Sequence, residues 1–420
     1  MRAVIAATAP LFFVLACTNA SPPSDVDPVD ANADAPGARP PEHAGRQLGL
    51  VASPANLSRV WASEGRACAL TADNEVRCWG KRALVPVALP ELGTGNLSVY
   101  ANADYTCAIQ SVDGSTEAGA LKCVPFDDPN YSRLPPERDF SGLGNNVKAV
   151  ALGTTSCAIL GGEPGQDTLK CWGTNGNAQI EPPVYVGGDF QTNIVVNEPK
   201  EIDQLGAGVL AVAAGLRHVC AVINTQTEPP YDRGVVKCWG HNSGGELGDG
   251  TFGGTIALDP GYPANEQPVP TQVLGLTDAV DVIAGANFTC ALTATGQVWC
   301  WGANGVSNSI NTYTNVPQLE LEGVTALSHG AGRDTGACAI KDGAAVRWNP
   351  YSNAAPAALP GLESGVTSVA SSSKVTCARG TFSGLKCFAD TSGSLLDIAD
   401  GIQGNGSTTA SPTAVNVTGF

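Results

Sequence analysis

Fourteen cysteines among 420 residues are the side chains here best able to do chemistry. Twelve fall into six pairs: Cys68/Cys78, Cys107/Cys123, Cys157/Cys171, Cys220/Cys238, Cys290/Cys300 and Cys377/Cys387. Each pair brackets a short hairpin. Thiols placed like this either bridge or bind a metal. A structural metal site needs closely spaced ligands, such as Cys-x-x-Cys joined by a second pair or by histidines. The chain has no Cys-x-x-Cys, and its four histidines (His43, His218, His241, His329) show no ligand spacing. No metal and no cofactor is therefore expected. Adjacent antiparallel strands bring facing cysteines within bridging distance, so six disulfides are predicted, with buried free thiols as the alternative. Cys338 is left over: its hairpin returns as Ala345-Val346-Arg347-Trp348, without a second cysteine. It reads as a buried thiol first and an intermolecular bridge second.

Other chemistry is harder to find. No Ser-His-Asp spacing, paired carboxylates or phosphate-binding glycine loop stands out. Asp249 and Thr251 in Gly-Asp-Gly-Thr are turn residues. Asp127-Asp128 has no calcium-ligand pattern around it. The sequence thus predicts a non-enzyme with no catalytic residues. The rival is an enzyme acting on a cell-wall or matrix glycan, its groups gathered at an axis from distant segments.

The elements that carry the cysteines repeat. Seven units begin their second strand at Cys68, Cys107, Cys157, Cys220, Cys290, Cys338 and Cys377, with steps of 39, 50, 63, 70, 48 and 39 residues. Each reads as four short strands: a small-residue strand such as Leu210-Ala-Val-Ala-Ala-Gly215, a Cys-Ala-Leu strand, a Val-x-Cys-Trp strand, and an outer strand such as Pro270-Thr-Gln-Val273. Such repetition predicts an all-β fold, a seven-bladed β-propeller of four-stranded blades over residues 58–420. The last segment, Ser411–Val417, reads as the fourth strand of unit seven and is expected to join the first strands of unit one and close the ring. Strand alternation puts Cys and Trp on opposite faces. Trp79, Trp172, Trp239, Trp301 and Trp348 are then core residues packing on the next blade, with Phe388 and Val124 in the same position elsewhere. His218 shares its repeat position with Arg66, Tyr105, Thr155, Phe288, Gly336 and Val375, a variety that marks it as structural.

Composition narrows the partner. With 39 acidic and 23 basic residues the net charge is −16, so nucleic acid and anionic membrane surfaces are excluded as partners. Residues 1–17 resemble a signal peptide ending in the lipobox Val14-Leu15-Ala16-Cys17, which makes Cys17 the lipidation site; an ordinary secretory signal cut near Ala20 is the alternative. Residues 18–57, rich in Pro and Asp, read as a disordered tether. Later apolar runs such as Val209–Ala214 are only strand-length. The chain is expected to be exported and monomeric, touching a membrane only through its lipid. It would sit in the cell envelope (outer membrane or cell surface), or be periplasmic or secreted.

Unit four runs Val236-Lys-Cys-Trp239-Gly240-His-Asn242-Ser-Gly244-Gly-Glu-Leu247-Gly248-Asp249-Gly250-Thr251. This resembles the regulator of chromosome condensation repeat family; Trp301-Gly-Ala-Asn304-Gly305 and Trp172-Gly-Thr-Asn175-Gly176 keep shorter parts of the same pattern. The resemblance implies a seven-bladed propeller. The family's eukaryotic founder exchanges guanine nucleotide on a small GTPase, an activity with no matching functional residues here. The cysteine-rich version is similar to exported bacterial members of the lipoprotein type.

Tyrosines suggest where a partner would sit. Tyr131, Tyr185, Tyr262, Tyr313 and Tyr351 each lie in one connector, after the third strands of units two to six, and Tyr231 lies in the hairpin insert 224–234. Tyrosine gives a stiff, amphipathic contact surface, and long loops on a rigid scaffold carry binding. These six are the binding-face candidates. A protein is the first expected partner and a glycan the second.

Overall fold

A computed structural model describes residues 59–420, apart from 64–65, 81–82, 103–104, 126–139, 183, 187–188, 192–194, 256–263, 304–312, 329–335, 351–354, 373, 390–401 and 408–410. The leader, Cys17 and the tether lie outside the described residues, as do Tyr131, Tyr262 and Tyr351.

The fold is an all-β propeller of repeated antiparallel sheets. Unit one comprises Val60–Ser63, Arg66–Leu70, Val76–Gly80 and Ala83–Ala88, paired in that order. Unit four comprises Val209–Ala214, His218–Asn224, Gly234–His241 and Glu266–Gln272. The inner strands are buried along their whole length, Ser63 and Arg66 included, because both faces are covered; the outer strand Ala83–Ala88 alternates toward solvent. Six S–S bonds join the six cysteine pairs, with Cα–Cα separations of 4.0–4.1 Å. In each the two cysteines stand directly opposite across the second and third strands, as Cys68 does to Cys78. In unit six Arg347 faces Cys338, so this thiol, buried and free, has no cysteine in register. Burial pushes it up to about 12.

Unit two departs from the repeat at Cys123. The bond to Cys107 forms as the sequence predicts, and the two stand in register. Cys107 is buried, but Cys123 is only half-buried, whereas the other ten bridged cysteines are buried. Residues 126–139, which follow its third strand, lie outside the described residues; Gly119–Pro125 pairs with Tyr105–Ser111 and, at Gly119 alone, with Val147. Val124 stands where most other units carry the indole.

The motif Cys-Trp-Gly has a backbone reason. Opposite Trp the outer strand is bulged: Cys78 pairs with Val87 but Gly80 with Ala83, and the same shift recurs at Cys171/Gly173, Cys238/Gly240 and Cys300/Gly302. Within the bulges fall Pro86, Pro199, Pro268, Pro270 and Pro317, a place where a residue without N–H breaks no ladder bond. The glycine then turns the chain with φ of 97° to 101°. A Cβ at Gly240 would lie 2.7 Å from the Arg217 carbonyl oxygen, so no other residue fits.

The tryptophan joins units. Trp301 of unit five donates its Nε1–H to the Glu246 carbonyl at 2.8 Å, and Trp239 of unit four donates to Gln179 at 2.7 Å. Gln179 and Glu246 occupy the same place, seven residues after the tryptophan of their own unit. Each indole is therefore seated in the connector of the preceding unit, not of the next one as the sequence suggested. The strand alternation fixed its face but not its direction around the fold. Trp79 of unit one repeats the contact with the seventh unit, donating to the Ile402 carbonyl at 2.9 Å. Gly404 lies against Trp79 as Gly248 lies against Trp301.

The C-terminal strand is the fourth of unit seven, as read from the sequence, but it does not join the strands of unit one. Val415–Asn416 pairs with Leu385–Ala389 of its own unit and with no strand of unit one. Unit one already has its own outer strand, so no place for an exchanged one exists. Side chains make the contact instead: Val60, Ala62, Trp79, Val375, Leu385 and Ile402 share one apolar cluster, with the Phe420 ring 5.8 Å from that of Trp79.

Gly248→Ala tests the indole seat. Its Cβ would lie 2.7 Å from Trp301 Nε1, at φ 66°. The expected loss is about 1–3 kcal/mol in urea unfolding. Trp301→Phe should cost a similar amount by leaving the Glu246 carbonyl unpaired.

Candidate functional site

Antiparallel hand-over assigns loops to edges. Turns between first and second strands share one edge of each sheet with the connectors between third and fourth; the hairpins between second and third strands lie at the other. Tyr313 opens the outer strand of unit five, opposite Ala303, and is half-buried. Tyr185 lies in a small hairpin, Val184–Val186 with Asp189–Gln191, facing Phe190. Both belong to connectors. Tyr231 does not: it sits in the second-to-third hairpin of unit four with φ 52°, its ring over Gly165. It is thereby removed from the connector edge, because its insert lengthens the opposite end of the strand pair.

The best-formed connector is that of unit four. Asn242 is fully buried and staples it: Oδ1 accepts the Leu247 N–H at 3.0 Å, while Nδ2 donates to the Gly253 carbonyl at 2.6 Å and to Thr251 Oγ1 at 3.0 Å. Asn175 does the same in unit three, accepting from Ile180 N–H at 2.8 Å. This explains the Trp-Gly-x-Asn pattern. Asp249 Oδ1 accepts from Thr251 N–H at 3.0 Å, a local turn as read from the sequence.

A polar trio lies on this frame. Ser243 Oγ is 2.6 Å from His241 Nε2, and His241 Nδ1 is 3.2 Å from Glu266 Oε1. Asn177 of unit three donates Nδ2–H to the same Glu266 oxygen at 3.3 Å. The His241 and Glu266 side chains are 10 % and 8 % exposed, whereas Ser243 is exposed. The sequence hid this trio, because Glu266 is 25 residues from His241 and meets it only through strand pairing. Beneath it His218 Nε2 lies 2.8 Å from Thr289 Oγ1. Burial, then the charge of His241, pulls His218 down to about 3, against a backbone hydrogen bond at Phe288. Burial raises the neighbouring Glu246 carboxyl above the usual range, opposed by His241, backbone N–H groups and Arg217.

The axis offers less. First strands converge on a cavity of about 40 Å³, lined by Trp61, Ala213, Ile283, Phe288, Cys338 and Ser371 among others. That is room for a few waters, not a sugar ring, and no carboxylate is among its described lining residues. Among the described residues no group of three or more His, Cys, Asp or Glu is placed to hold a metal. No helix among them is long and apolar enough to cross a membrane.

The chain is similar to known proteins. The family described as Regulator of chromosome condensation (RCC1) repeat matches residues 233–292, and a second form of that repeat matches 279–307. The RCC1 domain-containing protein RUG3, mitochondrial, of Arabidopsis thaliana is 28% identical over 214 residues, 49% of this chain and 42% of that protein. The secretion-regulating guanine nucleotide exchange factor of Bos taurus is 31% identical over 162 residues, 39% of this chain and 30% of that one. The chain spans less than half the length of either relative. Human WBSCR16 has a solved structure similar to this one, with TM-score 0.49 and 16% identity over 87% of this chain and 82% of that one.

His218 makes acid stability testable. Its ordinary value is 6.5 and its folded value about 3, so between these the unfolded chain binds a proton that the folded chain refuses. The stability it contributes is complete above 6.5 and falls as pH drops toward 3, by on the order of 1 kcal/mol per pH unit. Glu246 has the opposite sign: its raised folded value costs stability as pH rises through it. His218→Thr, the residue found at Thr155 in unit three, should flatten the urea-derived stability curve between pH 6.5 and 4.5 by about one proton. Equal slopes would show that His218 protonates in the folded state.

Proposed function

We infer that the chain belongs to the regulator of chromosome condensation repeat family, whose repeat matches residues 233–292 and 279–307. We propose that it is an exported, lipid-anchored binding scaffold: a closed ring of seven four-stranded blades, carried on Cys17 and the tether 18–57, that holds a protein at its connector edge. The observation that carries this reading is the contrast within each unit. Strands are pinned by disulfides and seated indoles, while connectors of very different length leave one edge of that rigid base. Rigid sheets with variable loops give preorganised contact at low ordering cost. Ring closure is supported by the contact of units seven and one through Trp79. Export is supported by the S–S bonds, which persist in oxidising compartments. Tyr185 and Tyr313 sit in connectors, and Tyr131, Tyr262 and Tyr351 would join them there. The head acts as a monomer, and a glycan would bind at this same edge, since the axial cavity is too small for one.

Nucleotide exchange is the second reading, favoured by the match to a relative bearing that name. A disulfide-linked acidic head fits a cytosolic GTPase poorly.

Two measurements test the scaffold. The exported chain should retain an envelope or secreted protein that Tyr185→Ala/Tyr313→Ala binds at least tenfold more weakly while unfolding at the same temperature; equal capture by both would overturn the tyrosine edge. Cys17→Ser should abolish fatty-acid labelling and release the chain from membranes, and labelling that survives would remove the anchor.

A further inference from the structure

We infer that Ser243 is a nucleophile that accepts acyl groups from activated esters, with His241 as its general base and Glu266 as the residue that positions the base. The relay is complete in atoms. Glu266 Oε1 lies 3.2 Å from His241 Nδ1, so Nδ1 carries the proton and the Nε2 lone pair faces Ser243 Oγ at 2.6 Å. Asn177 holds the same carboxylate oxygen from the neighbouring unit. The base and its carboxylate are nearly covered, while the serine meets solvent. That is the arrangement a nucleophile needs.

The repeat itself argues that the trio is not scaffolding. His241 pairs with Glu266 at the start of the outer strand. The same register holds Thr174 against Val195 in unit three and Ala303 against Tyr313 in unit five. At the place of Ser243, four residues after tryptophan, those units have Gly176 and Gly305. Both keep the Cys-Trp-Gly turn without any of the three polar side chains. The connector of unit four is already stapled by Asn242, which uses none of them.

The reaction balances with water as co-reactant. Ser243 Oγ attacks the acyl carbon as its proton passes to His241 Nε2, forming the Oγ–C bond. The bond to the leaving oxygen or sulfur breaks as Nε2 returns that proton to it. Water, deprotonated by Nε2, then releases the carboxylic acid and restores the hydroxyl. The Gly244 N–H is taken by Glu246 Oε2 at 2.8 Å, so it gives no support to an oxyanion. The substrate class is accordingly aryl esters and thioesters with good leaving groups, not amides.

The test uses the full disulfide-bonded chain with a fluorophosphonate probe and p-nitrophenyl acetate. One phosphonyl group per chain should appear on the peptide containing Ser243, at least tenfold faster than on the denatured chain. Ser243→Ala should abolish it without moving thermal unfolding, since the hydroxyl is exposed. His241→Gln should slow it at least a hundredfold. The titratable and charged groups around His241 are Glu266, Glu246, His218 and, beyond Glu246, Arg217. Glu266→Gln should therefore move the pH midpoint of labelling downward, which a purely structural role would not do. Labelling no faster than in the denatured chain, or labelling that persists in Ser243→Ala, overturns the inference and leaves the trio as a static turn contact.

Discussion

The seated indole is the contact on which the rest of this molecule depends. A four-stranded sheet of so few residues cannot cover its own two faces, so each unit is stable only against its neighbours. The tryptophan after the second cysteine supplies both terms of that contact. It buries a large ring and spends its one donor on a carbonyl of the preceding unit, at 2.7–2.9 Å in the three cases Trp79, Trp239 and Trp301. The carbonyl comes from a connector, so the loop that leaves one sheet is also what receives the next. Connector conformation and unit order are thus a single constraint. Where both are present, the disulfide acts within a sheet and the indole between sheets, and Cys-Trp-Gly holds the two side by side with the glycine that lets the chain turn away.

Units two, six and seven show how far the two can be separated. Unit six keeps Trp348 and loses the second cysteine to Arg347, yet its strands still pair in register, Cys338 to Arg347 and Ala337 to Trp348. Unit seven does the reverse, keeping the bridge and replacing the indole by Phe388. Unit two keeps the bridge with Val124 in the indole position, and its Cys123 is the bridged cysteine left half-buried. A cross-link mainly limits the unfolded chain, so it needs no cover to act, whereas the indole defines a native contact. Loss of either in one unit is tolerated because flanking units hold the neighbouring faces.

Much of this was legible in the chain, and the physical reason is repetition. Cysteine pairs ten residues apart, as at Cys290 and Cys300, have one short hairpin to close. The Cys-Trp strand and the proline-bearing outer strand read as strands from the residues alone, whereas the bulge between them came only with the register. What stayed hidden were facts about direction and distance. Alternation tells which face Trp79 takes but not whether the preceding or following unit receives it. The end of the chain reads as the fourth strand of unit seven, and Val415 does pair with Cys387 there, but its contact with unit one is made by side chains and not by strand pairing. Tyr231 resembled the other loop tyrosines until strand order put its hairpin at the opposite edge. The trio of His241, Ser243 and Glu266 left no spacing signal, because two of its members sit at variable positions of the repeat and the third arrives by pairing.

Variable positions are where a repeat protein can acquire chemistry, and unit four shows why. Its connector is the most fully bonded of those described: Asn242 holds it at Leu247, Thr251 and Gly253, and Glu246 is fixed both by Gly244 and by Trp301. A side chain placed on such a loop inherits the rigidity of the sheet beneath it. His241 is fixed between Glu266 and Ser243 without adding to the fold's stability requirements, since units three and five stand without an equivalent. The acid at Glu246 and the imidazole at His218, both buried and both driven toward neutrality, keep uncompensated charge away from the base of this site. Precision at the connector edge therefore follows from the unit contact itself: the loop that must be exact enough to seat the next tryptophan is also exact enough to position a reacting group.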